Sequence, residues 1–251
     1  MPVRDMGGVD DAEYALMDAV EDRMWWYRAM HGHVLAALAG LPENARLLDA
    51  GCGTGGFLTR LRAARPDLRL FGLDYAAGAA RRAAAKAGAC VVAGTVNSLP
   101  FQAGAFDAVV SLDVLCHRAA EPIEALAEFQ RVLRPAGRLV LNLPAHEWLR
   151  SAHDARVHNA RRYDRAGAER LLDSAGFEAP AAWHWNALLL PLMVVQRKLL
   201  ARQDDAASDV VEYPTWLDRS LYAATRIEAA LLRAGLRFPA GGSLLATATR
   251  S

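Results

Sequence analysis

Leu47-Leu48-Asp49-Ala50-Gly51-Cys52-Gly53-Thr54-Gly55-Gly56-Phe57 is the stretch that decides the fold. An apolar run closes on an acid, passes through a glycine-rich turn and enters a helix-forming segment. Glycines there let backbone approach a ligand closely, and the start of the helix offers free N–H groups. Gly51, Gly53 and Gly56 satisfy G-x-G-x-x-G, a spacing shared with dinucleotide sites. Asp49, two residues before the first glycine, separates the possibilities: a carboxylate at the strand end meets a cationic ligand and repels a pyrophosphate.

Outward from this turn, short apolar runs alternate with helical stretches, the pattern of βαβ units and a mostly parallel sheet. Strands are expected at 46–50, 69–74, 90–94, 106–112 and 137–143, a sixth from Phe177 into Trp185, and a last one over 243–249. Two helical patterns, 12–24 and 25–38, precede the first strand, and a helix is expected over 165–175. The fold class is α/β: a Rossmann-like, seven-stranded, mostly parallel sheet with helices on both faces. Residues 1–45 read as an N-terminal helical lid, 46–186 as the core, 187–240 as a helical and apolar insertion, and 241–251 as the last strand of the core sheet.

Further motifs follow in order. Phe71-Gly72-Leu73-Asp74-Tyr75 ends the second strand on an acid, placed where the two hydroxyls of a ribose can be held. Gly94-Thr95-Val96-Asn97-Ser98-Leu99-Pro100-Phe101 follows the third strand and precedes Phe106-Asp107-Ala108-Val109. Ser111-Leu112-Asp113-Val114-Leu115-Cys116-His117 ends the fourth, and Arg134-Pro135-Ala136-Gly137 turns into the fifth.

This series resembles the class I S-adenosylmethionine (SAM)-dependent methyltransferases over roughly residues 25–186. In that family an acid precedes a GxGxG loop, then come G-D-x-x-x-L-P-F, D-V-L-E-H and L-x-P-G-G. Thr95, Cys116 and Ala136 depart from the usual acid, glutamate and glycine. The resemblance implies SAM as cofactor, no metal, and contacts from Trp26, Asp49, Gly51, Cys52, Gly53, Phe57, Asp74, Tyr75, Thr95, Val96, Leu112, Asp113 and His117. The adenine edge would fall to the Thr95 hydroxyl or to backbone at Val96.

Beyond the fifth strand, His146, His153 and His158 lie among Arg150, Arg156, Arg161, Arg162, Arg165 and Arg170. The segment resembles a bacterial methyltransferase subfamily with H-D and H-x-x-R-R-Y patterns, and Met24-Trp25-Trp26-Tyr27-Arg28 resembles its W-W-F/Y-x-x-R entrance. Three successive aromatic residues cannot all face one side of a helix. The arginines suggest a small anionic acceptor methylated at oxygen, with Arg161 pairing its charge and Tyr163 orienting it. His117 and His158 are candidate catalytic groups, with His153 a third candidate base. Trp183, Trp185 and the apolar run 187–195, followed by Arg197 and Lys198, read as a buried cap, a homodimer contact, or a surface for a lipid-like acceptor or membrane.

With 29 basic and 28 acidic residues, no global field draws the chain to nucleic acid, and no nucleic-acid partner is expected. The longest apolar run is too short for a transmembrane segment. Cys52, Cys90 and Cys116 fall in segments that read as buried, without disulfide or zinc spacing; with the polar, acidic N-terminus they suggest a reducing cytoplasm. Two other readings stay open: a non-catalytic SAM-binding partner protein, and an NAD-dependent oxidoreductase using the same glycine spacing.

Overall fold

A computed structural model describes residues 11–200 and 213–251; the N-terminal MPVRDMGGVD and the acidic loop at Asp204 and Asp205 lie outside the described residues. Helices α1 (Asp11–Val20) and α2 (Trp25–Ala37) precede β1 (Arg46–Ala50), α3 (Gly56–Ala64), β2 (Arg69–Asp74), α4 (Ala77–Ala87), β3 (Cys90–Ala93) and β4 (Phe106–Leu112). Then come α5 (Pro122–Val132), β5 (Leu133–Pro144), α6 (Ala152–Arg156), α7 (Arg165–Ser174) and β6 (Phe177–Trp185). A short α8 (Leu190–Val194) runs into a π-helical turn, and α9 (Thr215–Arg233) leads to β7 (Ser243–Arg250).

These strands form one seven-stranded sheet in the order β3-β2-β1-β4-β5-β7-β6. β1 to β5 run parallel and β7 is antiparallel to both neighbours, so β6 again ends at the same edge as β1 and β4. Apolar layers cover both faces, one under α5 and α7, the other under α2, α3 and α4. Leu47, Leu48 and Ala50 of β1 are fully buried because the strand lies mid-sheet with helices above and below.

Several expectations need correction. Cys90 is exposed, since it opens the edge strand β3; Cys52 and Cys116 are buried, and all three are free. α1 stops at Val20, ahead of a turn that starts α2 afresh at Trp25. β5 begins at Leu133, through a bulge in which Phe106 pairs with Leu133 and Ala108 with Arg138.

Ala136 sits in that bulge at φ 60°, a left-handed conformation that costs an alanine about 1–2 kcal/mol. Glycine adopts it freely at some cost in unfolded-state entropy. Ala136→Gly is therefore expected to stabilise the protein by about 0.5–1 kcal/mol, read as a higher urea midpoint at unchanged slope.

Candidate active site

The sheet's carboxyl edge opens into a cavity of about 580 Å³. Gly51, Gly53, Asp74, Tyr75, Thr95, Val96, Leu112, Asp113 and His117 line its floor, where open α/β sheets bind ligands. Tyr14 and Met17 of α1, with Trp25, Trp26, Tyr27 and Met30 of α2, form one side of the roof. Leu189, Leu192, Met193, Leu217 and Leu221 form the other.

The glycine turn is shaped by contacts that allow no side chain. Gly51 has φ 92°, and a Cβ on it would clash with the Val114 side chain. Gly55, also at φ 92°, would meet the Ala83 backbone at 2.7 Å. Gly51 and Cys52 donate their N–H groups to Leu73 O at 2.7 and 2.9 Å, fastening the turn to the end of β2. Gly53 N donates to Asp74 Oδ2 at 2.8 Å, while Asp74 Oδ1 accepts from Ala76 N and from the Tyr14 hydroxyl, both at 3.0 Å. Burial raises the Asp74 carboxyl's pKa, and these donors act against that shift.

Asp49 is 1 % exposed, and its Oδ1 has no hydrogen-bond partner. Its carboxyl is pushed up to about 8, chiefly by burial and then by the neighbouring Asp74 and Glu21 carboxylates. Asp113, at the end of β4, is pushed up to about 7 by its removal from water. Asn142 Nδ2 donates to Asp113 Oδ2 at 2.9 Å, and Asn142 Oδ1 accepts from Trp185 Nε1 at 2.8 Å, so one chain of polar groups orients that carboxylate.

The structure separates the expected site residues. Asp49, Cys52 and Phe57 are buried and do not line the cavity, Asp49 lying behind Gly51 and Gly53, which do; Phe57, in the first turn of α3, packs against the His31 ring at 5.4 Å. Trp25, Trp26 and Tyr27 all line it, against the expectation for consecutive helical positions, because Trp25 opens the helix where the chain still turns. Thr95 Oγ1 accepts from Asn97 N at 3.2 Å, within the loop's own turn.

His158, Arg161 and Tyr163 are not among the lining residues. Arg161 donates to His117 O and Ala120 O at 2.9 and 2.8 Å, and the Tyr163 hydroxyl donates to Leu115 O at 2.8 Å. The His158 carbonyl accepts from Arg118 N at 2.9 Å. All three tie the segment after α6 to the loop after β4, so their expected roles at the acceptor give way to a strap. His117 reaches the cavity, and its Nδ1 lies 2.8 Å from Val157 O. The side chain of His153 lies outside the described residues.

Other arginines are spent in the same strap. Arg162 forks onto Asp154 at 3.0 and 3.0 Å and donates to Ala145 O; Arg150 binds Glu147, Asn159 O and Ala160 O. Tyr14 and Asn186 reach the cavity without a sequence signal of their own, and Arg162 of the H-x-x-R-R-Y pattern reaches it with Leu217 and Leu221 of α9. Asp218 of α9 accepts Trp25 N at 2.6 Å and pairs with Arg28 at 3.0 Å, joining the two sides of the roof by capping α2 in trans. Among the described residues no cluster of three or more metal-ligating side chains occurs, and no helix is long and apolar enough to cross a membrane.

Comparison with known proteins points the same way. Residues 48–141 match the family described as "Methyltransferase domain". The chain is 36 % identical over 115 residues to the tRNA (carboxymethyluridine(34)-5-O)-methyltransferase alkbh8 of Xenopus tropicalis, covering 44 % of this chain and 17 % of that one. It is 35 % identical over 127 residues to rice 24-methylenesterol C-methyltransferase 2, covering 48 % and 33 %. The chain thus spans a third or less of those relatives' lengths. A solved complex of the Haloferax volcanii Trm112 methyltransferase activator with a putative methyltransferase aligns at TM-score 0.65 and 23 % identity, over 95 % of this chain and 94 % of that one. The strand order and the family match agree: residues 48–141 match a methyltransferase domain, carried on the seven-stranded sheet shared with that solved structure.

Proposed function

We propose that this chain is a SAM-dependent methyltransferase acting on a small, largely apolar acceptor held in the cavity at the sheet's carboxyl edge. One observation carries the cofactor half: a buried, unpartnered carboxylate oxygen at Asp49 beside a glycine turn that lets a ligand reach the backbone. The residues present fit the cofactor, since an ammonium supplies the donor that Asp49 lacks and Asp74 is a carboxylate at the cavity wall. When bound, SAM supplies a methyl group activated by its sulfonium.

The chain's own residues then hold and shield. Asp49 fixes the cationic end, and Asp74 takes ribose hydroxyls once the Tyr14 hydroxyl yields its place. The aromatic roof keeps water out, which matters because a direct displacement gains from alignment of the two reactants and because excluding water strengthens the electrostatic interactions inside the site. Asp113, poised near neutrality, is the group able to take a proton from an acceptor hydroxyl, so methylation at oxygen remains the favoured outcome.

An anionic acceptor loses its support because the arginines that suggested it bind Asp154, Glu147, Glu121 and main-chain carbonyls instead. The leucines and methionine of the roof favour the lipid-like alternative. Relatives named for acceptors as unlike as a tRNA uridine and a sterol match 44 % and 48 % of this chain, so the acceptor is read from this chain's own cavity.

Calorimetric titration with S-adenosylhomocysteine and, in parallel, with NADH tests the cofactor. Micromolar binding of the former, weakened at least about tenfold by Asp74→Ala, or 1.4 kcal/mol, is expected. Tyr14→Phe should act oppositely, tightening binding about three- to tenfold, because it removes a hydrogen bond that the ribose must displace. No S-adenosylhomocysteine binding by folded wild type would sink the proposal.

A further inference from the structure

Asn186, which also lines the cavity, lies four strands across the sheet from β1, roughly 19 Å at about 4.8 Å per strand. Asn186 follows β6 directly, is fully buried, and neither Oδ1 nor Nδ2 of its amide has a hydrogen-bond partner. Buried amides are ordinarily satisfied, and an orphan of this kind needs an explanation. Leu189, Leu192, Met193, Leu217 and Leu221 of the roof offer nothing to bond with, and the polar groups that also line the cavity, among them Gln196, Arg197, Tyr213 and Ser243, make no hydrogen bond to this amide.

Local disorder does not account for it. Asn186 is held at φ 58° with its N–H on Glu228 Oε1, and Ala187 N and Leu188 N donate to Oε2 of the same carboxylate at 2.7 and 2.9 Å. Its carbonyl accepts from Gly242 N at 3.1 Å. Glu228, itself fully buried on α9, thus anchors the turn that carries the amide. A carboxylate closing on three successive N–H groups is a rigid mount, and rigid mounts are what recognition requires.

We infer that Asn186 is the acceptor-recognition residue: the far half of the cavity takes a neutral, apolar-bodied molecule carrying one hydroxyl or carboxamide that both donates to and accepts from the Asn186 amide. The inference rests on the methyltransferase reading, which assigns the β1–β2 half of the cavity to the cofactor and leaves this half for the acceptor. An amide satisfies a group that both gives and takes a proton better than one that only accepts, and a site with unpaired polar atoms rejects analogues that leave them unpaired. The specificity is for the hydroxyl or carboxamide, and the apolar roof supplies affinity without discrimination.

The test uses the full chain saturated with S-adenosylhomocysteine, titrated calorimetrically with 1-octanol and with 1-methoxyoctane, whose ether oxygen accepts but cannot donate. Wild type is expected to bind the alcohol about tenfold more tightly, a difference of ~1.4 kcal/mol. Asn186→Gly, which adopts φ 58° without strain, should shrink the preference to within about twofold; its own S-adenosylhomocysteine titration reports whether it is folded. Asn186→Asp, nearly isosteric and tolerant of the same backbone, should keep the preference because a carboxylate still accepts the hydroxyl proton. The same preference in wild type and Asn186→Gly overturns the role of Asn186, as does saturated wild type that binds neither probe. Wild type that fails to take S-adenosylhomocysteine removes the methyltransferase reading itself, a different result seen in the first titration.

Discussion

Asp49→Asn is expected to weaken S-adenosylhomocysteine binding about 100-fold (~2.8 kcal/mol) while making the ligand-free protein more stable above neutral pH. Both effects come from one oxygen. Asp49 is buried without a partner for Oδ1, beside two other carboxylates, and its carboxyl is pushed up to about 8 from 3.8. The folded state therefore holds a proton that the unfolded state releases near pH 4. Stability from this group is fully present below about pH 4 and falls as pH rises to about 8, by about 1.4 kcal/mol per pH unit at most. Asparagine keeps the shape and removes the titration, so the variant's melting temperature should pull ahead of wild type between pH 5 and 8.

The ligand reverses the balance. A cation beside Asp49 favours the carboxylate, so binding at pH 7 should release protons, seen as a binding enthalpy that scales with the ionisation enthalpy of the buffer. Asparagine offers a neutral oxygen and no charge, and the charge-assisted bond is lost. A variant no more stable than wild type at pH 8, with undiminished affinity, would remove Asp49 from the site.

The cofactor half was legible because its parts are local. A strand end, a glycine turn and a helix start lie within eleven residues, and backbone conformation alone fixes where Gly51 and Gly53 face. Phe57 and Cys52 were misjudged at the limit of that logic, since whether the first turn of a helix points into a cavity or under it depends on what packs there, here His31. The arginine-rich segment shows a deeper limit. Arg161 binds carbonyls more than forty residues upstream, and no spacing tells a guanidinium aimed at a substrate from one aimed at main chain. Tyr14 meets Asp74 across 60 residues, and the Asn186 turn meets Glu228 across 42. The reading of 187–240 as helical and apolar did not reveal Glu228, the charge that α9 buries.

Arg162→Met should cost about 3–5 kcal/mol, a large share of the roughly 5–15 kcal/mol that stabilises a domain. The Arg162 side chain is 4 % exposed and that of Asp154 fully buried, joined by a two-pronged ion pair. Burial works to raise the Asp154 carboxyl, and Arg162 overcomes it, leaving the pKa below 3.8. Removing the guanidinium leaves a buried carboxylate with only the Ser151 N–H and weaker contacts from the Ser151 hydroxyl and Asn159 amide at 3.4 Å. In wild type this group's stability is present above pH 4 and is lost as pH falls through its lowered folded value. In the variant only the Ser151 N–H and the Arg197 charge still oppose burial, so the carboxyl is expected to rise: from pH 4 to 6 the variant's melting temperature should fall progressively further below that of wild type, in which this group's contribution is constant over that range. The double variant Arg162→Met with Asp154→Leu removes the orphaned charge and should recover most of the loss. If it recovers stability but not methyl transfer, Arg162 serves the cavity wall it lines as well as the fold; if it recovers both, the ion pair is a fastening for the strap and the acceptor is read elsewhere, at Asn186.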